Sequence, residues 1–408
     1  MIWDSFATVA AIFIFLATYA VIAAGRLPGF RLDRAGAALI GASLMVAAGI
    51  VTLEEAYKAI DFDTIVLLLG VMIVIANLRL SGFFALVSDW VARHAHHPLT
   101  LLAAIVLISG VFSAFLVNDT ICLMLTPLVL ELVVALRRNP VPYLLAIAFA
   151  SNIGSAATIT GNPQNIMIGS FSAIPYGSFL AALAPVSLAG LAATLLLIAV
   201  VFRQEFWGRE RLAAEPRDIR VNKPLVRKSV AVTAIMVVAF FLFAPPAKVA
   251  IVAGALLLLT RRLKPERIYA DIDWSLLLLF AGLFIVVAGM EKTVMTPQVL
   301  AEAGWLRLDH VPVLSAVAFV LSNLVSNVPA VLVLKPFVLQ LHDQRTAWLT
   351  LAMASTLAGN FTILGSVANL IVVERARQSG VEIGFWTYFR LGAPLTAITV
   401  AIGVWWLS

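Results

Sequence analysis

A chain of 408 residues that is 62% hydrophobic and 12% charged, with a mean hydropathy of +1.01, cannot hide its apolar side chains in a water-soluble core. It is a polytopic membrane protein. The formal charge of +6 would suit a nucleic acid, but the basic residues cluster in short segments between apolar runs, as membrane orientation requires, so no nucleic-acid partner is expected.

The first apolar runs fall near 5–24, 35–51 and 64–80 and read as membrane helices. Phe83 to His97, with Trp90 and Arg93, reads as an interfacial helix. A long stretch, 98–136, is then interrupted at its centre by Val117-Asn118-Asp119-Thr120. Runs at 141–170 and 178–202 follow, and a basic linker closes the first half. The second half repeats the series at 228–244, 247–263 and 274–290. A stretch at 311–341, broken by Ser322-Asn323 and Ser326-Asn327-Val328-Pro329, precedes runs at 346–374 and 386–407. Read this way, the fold is all-α, with about ten transmembrane helices in two halves. The interrupted stretches are either pairs of full spans or re-entrant hairpins, and each half has odd parity in both cases.

Odd parity turns the second half upside down relative to the first, giving two inverted repeats. The expected domains are 1–205, with hairpin 98–137 and broken helix 141–170, a cytoplasmic linker at 206–227, and 228–408, with hairpin 311–341 and broken helix 346–374. Arg203, Arg209, Arg211, Arg217, Arg220, Lys223, Arg227 and Lys228 place the linker inside. Arg26, Arg31, Arg34, Arg93, Arg137, Arg138, Arg261, Arg262, Lys264, Arg267, Arg375 and Arg377 then share its side. Glu54, Glu55, Asp61 and Asp63 fall opposite. Both termini are expected to be periplasmic, in the inner (plasma) membrane, with Trp386, Trp405 and Trp406 as interface anchors.

Internal matches support the repeat. Ala150–Gly169 aligns with Ala354–Val373 without a gap, with identities at Ala150/Ala354, Ser151/Ser355, Thr158/Thr362, Ile159/Ile363, Gly161/Gly365 and Asn165/Asn369. Asp61 matches Asp273, and Gly70, Ile73, Val74 and Ala76 match Gly282, Ile285, Val286 and Ala288. Ser113, Asn118 and Pro127 match Ser322, Asn327 and Pro336. The Asp61/Asp63 and Asp271/Asp273 pairs sit at span entrances and read as helix-start residues.

Glycine and uncharged polar residues inside apolar runs are how a transporter breaks a helix around a solute. Asparagine offers a carbonyl to a cation and an amide to an anion. Gly161-Asn162-Pro163 and Gly365-Ser366 free backbone carbonyls, and the restarting helices present N–H groups and a positive dipole end. Any one such residue can serve packing alone. Four clusters repeated across two halves point to an anion-plus-cation site at the midplane. Asp119 and Lys335, which aligns with Thr126, are intramembrane charges and candidate coupling groups, although Lys335 can also snorkel or pair structurally.

Other chemistries fit poorly. The single cysteine, Cys122, excludes an internal disulfide and a cysteine-built metal site, and the histidines fall in loops or their edges. No histidine lies beside Ser155 or Ser366 to make a hydrolase, so no enzyme is expected. Inverted repeats with broken helices favour alternating access over a passive channel.

The segments SAFLVNDTICLMLTP (Ser113 to Pro127), GNPQN (Gly161 to Asn165), SNVPAVLVLKP (Ser326 to Pro336) and GSVAN (Gly365 to Asn369) resemble the ion transporter superfamily. That group includes divalent anion/sodium symporters, citrate transporters, and arsenical-pump and P-protein-like permeases. The resemblance implies two re-entrant hairpins and two broken helices in a transport domain that moves as an elevator against a scaffold, usually in a homodimer. It implies one cation site at Ser113, Val117, Asn118 and Gly161, and a second at Ser322, Val325, Asn327 and Gly365. Substrate would lie among Asn118, Asp119, Asn162, Ser326, Asn327, Val328 and Ser366. Where the dicarboxylate pattern has Ser-Asn-Thr at each hairpin tip, this chain has Val117-Asn118-Asp119 and Ser326-Asn327-Val328. Asp119 would repel a doubly negative ligand unless protonated.

The expected function is secondary-active transport of a small anion or oxyacid, a carboxylate or inorganic oxyanion, coupled to Na+ or H+. No cofactor beyond that ion is expected. An arsenite-type metalloid efflux permease and a cation/proton antiporter are the alternatives.

Overall fold

The computed structural model describes residues 6–25, 32–208, 212, 221–242, 245–295 and 297–408. Arg26, Arg31 and the linker residues Arg209, Arg211, Arg217 and Arg220 lie outside them, so their expected sidedness has no structural counterpart here.

The first half runs α1 (Phe6–Ala24), α2 (Arg34–Ala47), α3 (Leu53–Ala59), α4 (Phe62–Ser81), α5 (Phe83–His94), α6 (Pro98–Phe115), α7 (Asn118–Ala135), α8 (Pro140–Ser155), α9 (Pro163–Ser172), α10 (Tyr176–Val201) and α11 (Arg203–Phe206). The second half runs α12 (Lys223–Phe241), α13 (Pro246–Leu258), α14 (Pro265–Tyr269), α15 (Trp274–Thr293), α16 (Pro297–Glu302), α17 (Val311–Val325), α18 (Asn327–Val338), α19 (Gln344–Ala358), α20 (Val367–Gln378) and α21 (Phe385–Leu407). From α12 onward the order of long, short, long, hairpin, broken and long helices repeats that of α1 to α10.

Local chemistry sets the helix starts. Asp61 accepts from the Asp63 and Thr64 amides, and Asp273 accepts from Leu276 N, so both repeated aspartates are N-caps. Proline at the first turn opens α6, α8, α9 and α13, where a missing N–H costs nothing. Gly82, at φ +88°, ends α4 and turns the chain into amphipathic α5, whose Trp90 is exposed.

Among the described residues eight helices are long and apolar enough to cross a membrane: α1, α4, α6, α7, α10, α12, α15 and α21. The broken pairs α8–α9 and α19–α20 are built of shorter pieces, 16 and 10 residues in the first and 15 and 12 in the second. α2 and α13 have 14 and 13 residues, shorter than the expected runs 35–51 and 247–263. Gly49, at φ +69°, turns the chain away just after α2.

The halves interlock. α2 packs on α15, and α4 packs on α13. A Cβ on Gly282 would lie 2.6 Å from the Ala38 backbone carbon, and one on Gly70 would lie 2.4 Å from that of Ala250. Glycine is required at both crossings. α6 lies on α8, α17 on α19, and α7 crosses to α20 in the other half. A Cβ on Gly154 of α8 would come 2.1 Å from the Gly110 carbonyl oxygen of α6. The apolar faces of α1 (Phe6, Phe13, Leu16) and α12 (Ile235, Val238) point outward, as lipid contact demands.

Candidate functional site

Both interrupted helices break the same way. α8 ends at Ser155 and α19 at Ala358, and single 3₁₀ turns, Ile159–Gly161 and Ile363–Gly365, lead into α9 and α20. Thr158 and Thr362 share an extended backbone, φ −135° and −134°. The repeated asparagines hold the breaks. Asn165 Nδ2 donates to the Ser155 and Thr158 carbonyls at 3.2 and 3.0 Å. Asn369 Nδ2 donates to those of Gly359 and Thr362 at 2.7 and 3.1 Å. Each amide thus satisfies carbonyls released by unwinding, which would otherwise stay bare in a medium without water.

A second layer of amides joins the halves. Asn152, fully buried on α8, accepts from Asn118 Nδ2 at 2.9 Å and from Ser366 Oγ at 3.0 Å. Its own Nδ2 donates to Asn360 Oδ1 and Asn369 Oδ1 at 2.8 and 3.0 Å. Thr356, its counterpart on α19, accepts from Asn162 Nδ2 and Gln164 Nε2 at 3.1 Å each and donates to Asn165 Oδ1 at 3.5 Å. Cys122 Sγ lies 2.9 Å from Ser151 Oγ, fixing α7 to α8.

The hairpin tips meet these breaks. Leu116 and Val117 separate α6 from α7, and Ser326 alone separates α17 from α18. Ser326 has φ +79°, a conformation rare for a residue with a Cβ and worth roughly 1–3 kcal/mol of strain. Of the expected substrate residues, Asn118, Asp119, Ser326, Asn327, Val328 and Ser366 line one cleft of about 510 Å³, mouth included. Asn162 does not. It lies buried behind the wall, its Oδ1 capping α9 through Asn165 N at 2.8 Å and its Nδ2 held by Ser155 Oγ at 3.0 Å. Gln164 and Arg34 line the cleft in addition.

The two implied cation sites share a second property. Ser113 Oγ and Asn118 Oδ1 in the first, and Ser322 Oγ and Asn327 Oδ1 in the second, are buried oxygens with no hydrogen-bond partner. An unmade bond at a buried oxygen costs about 1–3 kcal/mol, and here the omission recurs at symmetry-related positions. Asn323 Oδ1, also unpartnered, would sit 3.1 Å from a Cβ on Gly365 and adds an oxygen to the second site. The Val117 carbonyl, by contrast, already accepts from the Thr120 and Ile121 amides. Gly161 admits no side chain: its Cβ would stand 2.1 Å from the Ser155 carbonyl oxygen.

The two intramembrane charges are not neighbours. Asp119 also faces a second recess of about 620 Å³ with Arg79, Asp271 and Asp273. Arg79 Nη2 is 3.0 Å from Asp271 Oδ1, and burial pushes the Asp271 carboxyl up against the opposing pull of that guanidinium. Lys335 lies outside both recesses, 3.4 Å from Glu291 at the end of α15 and 4.9 Å from the centre of the Phe171 ring.

Several positions of the candidate site escaped the motif reading. Asn152 and Thr356 occupy one alignment position in the doubled segment and are not identical, so a search for identities passes over them. Arg34 reads as a loop charge because the chain folds it back towards the hairpin tips only in three dimensions.

A model of the citrate transporter family matches residues 15–358. The chain belongs to this family. As a citrate transporter family member it is a multi-pass membrane transporter and not an enzyme. It is similar over its length to a 46 kDa membrane protein of Mycobacterium leprae, 33% identical across 97% of both chains. It is also similar to the silicon efflux transporter LSI3 of Oryza sativa subsp. japonica, 30% identical across 92% of this chain and 93% of that one. Among solved structures, the Alcanivorax borkumensis YdaH transporter shares the fold, with a TM-score of 0.61, 14% identity and coverage of 99% of this chain and 97% of that one.

Proposed function

We propose that this family member carries a small oxyacid, uncharged or singly charged, by an elevator motion coupled to Na+ or H+. The observation that carries this reading is the composition of the cleft. Amide and hydroxyl groups of Asn118, Gln164, Ser326, Asn327 and Ser366 surround one carboxylate, Asp119, and one guanidinium, Arg34. The formal charges cancel. A tricarboxylate such as citrate would bring several negative charges to a single cation opposed by Asp119, whereas a hydroxylated acid can donate and accept at every wall group. The silicon efflux relative supports a metalloid hydroxyacid as the substrate class, and silicic and arsenous acid are its small uncharged members.

The moving body comprises both hairpins, both broken helices, α10 and α21. The scaffold comprises α1, α2, α4, α12, α13 and α15. Their boundary is crossed by few polar contacts, among them Tyr19 OH to the Pro329 carbonyl at 3.3 Å, as sliding requires. Sodium would be held by the four symmetry-related oxygens, whose uncharged hard donors suit it. A proton would be held at Asp119.

Proteoliposomes loaded with arsenite, silicate or citrate, under imposed pH or sodium gradients, test the reading. Arsenite and silicate are expected to move and citrate to stay. Asp119→Asn should abolish drive by the pH gradient and spare drive by sodium. Citrate flux without hydroxyacid flux, or flux indifferent to both gradients, would refute the proposal.

A further inference from the structure

We propose that Arg34 is a specificity-determining contact supplied by the scaffold to one face only: it grips the oxyacid in the facing state described here and has no equivalent on the opposite face. The proposal rests on the oxyacid reading above.

Arg34 is the first residue of α2, half-buried, and lines the same cleft as Asn118, Ser326, Asn327 and Ser366. Among the described residues no carboxylate stands within ion-pair distance of it. A half-buried guanidinium with no ion pair, lining a polar cleft, is free to be completed by a solute that brings acceptors. Its planar fork of donors matches an oxyacid, ionised or not.

The pseudo-symmetry shows what the other face offers. Gly282 meets Ala38 on α2 and Gly70 meets Ala250 on α13, so Ala38 corresponds to Ala250 and Arg34 to Pro246, each four residues earlier. Both open their helices. Leu279 of the Arg34 cleft likewise corresponds to Leu67. Pro246 and Leu67 line a separate recess of about 530 Å³ with Asp63, Ile166 and Ala247, and no hairpin-tip residue reaches it. When the moving body slides to that end, the solute meets a residue with neither charge nor N–H donor, beside a carboxylate. Affinity on the Arg34 face therefore exceeds that on the Pro246 face.

The test is half-saturation of flux measured separately from each face, in proteoliposomes of protease-verified orientation, with arsenite and silicate as probes. Wild type is expected to show a lower KM from the Arg34 face. Arg34→Gln should raise that KM about tenfold, the loss of one charge-assisted hydrogen bond, and leave the opposite KM unchanged. Arg34→Lys should recover part of the loss. Pro246→Arg should lower KM from its own face, and it carries the test alone if Arg34→Gln does not fold. Equal KM shifts at both faces, or a change confined to maximal flux, overturns the assignment while the oxyacid reading stands. Wild type that moves neither probe overturns both.

Discussion

Replacing Asn152 with alanine tests whether the central amide layer orients the hairpin as well as holding the helices. The side chain makes four hydrogen bonds between 2.8 and 3.0 Å, two accepted and two donated. At about 0.6 kcal/mol for an average hydrogen bond inside a membrane protein, the direct loss is roughly 2–3 kcal/mol. The partners do not suffer alike. Asn360 and Asn369 keep their amide bonds to Phe149 and Gly359, and Ser366 keeps its Ala368 amide, but Asn118 loses its only side-chain partner. One buried amide left bare adds about 1–3 kcal/mol, so a total of about 3–6 kcal/mol is expected. Unfolding of purified protein in micelles measures it. The second signature is functional. With its nitrogen no longer anchored, Asn118 is free to reorient its unpartnered Oδ1, so the apparent sodium affinity of flux should fall. Asn152→Asp keeps the oxygen that accepts from Asn118 and Ser366 but loses both N–H donors, and should rescue the orientation of Asn118 better than the stability. Stability within about 0.5 kcal/mol of wild type together with unaltered cation affinity would refute this account.

Two further predictions bear on the repeated glycines and on pH. Gly161→Ala should disrupt folding or flux more than Gly365→Ala, because the new methyl would meet backbone at 2.1 Å in the first case and 2.8 Å in the second; overpacking of about 1–3 kcal/mol is expected for the milder variant, read by thermal unfolding. In the last turn of α15, Lys292 Nζ lies 2.7 Å from both Glu55 oxygens. That bond, aided by the Thr52 amide, holds the Glu55 carboxyl down at about 2. The folded value lies below the unfolded one of about 4.3, so the pair's contribution is full above that pH and fades as pH falls towards 2. The difference in melting temperature between wild type and Glu55→Gln should shrink across that window, and a constant difference would contradict the pairing.

Much of the architecture was legible because membrane helices announce themselves by hydropathy and because the doubled segment carries its own alignment. The capping aspartates were readable from residue type and position, and the pairing of Gly70 with Gly282 from the repeat, whereas Ser113, Asn118, Ser322 and Asn327 came forward as a cation-ligand set only through the family resemblance. Tertiary partnership was not. Asn162 looks like a ligand beside Gly161, yet its amide is consumed by Ser155 and Thr356, the latter in the other half of the chain. Lys335 looks like a coupling charge, and in the fold it lies 3.4 Å from Glu291 of α15. Arg34 was counted only for its sign. In each case the deciding fact is which helix, distant in sequence, lies opposite, and local pattern does not encode that.

The exchange of α2 onto α15 and α4 onto α13 bears on how the protein is made. When a ribosome has delivered α10, the notch at Gly70 has no α13 to fill it, and the donors of Asn152 await Asn360 and Asn369, which are still untranslated. Polar side chains built for the far half must meanwhile face lipid, other spans or the insertion machinery. The first half is thus an incomplete assembly with exposed hydrogen-bonding groups, a natural client for membrane quality control. Expressed separately, the two halves should persist only when they are present together.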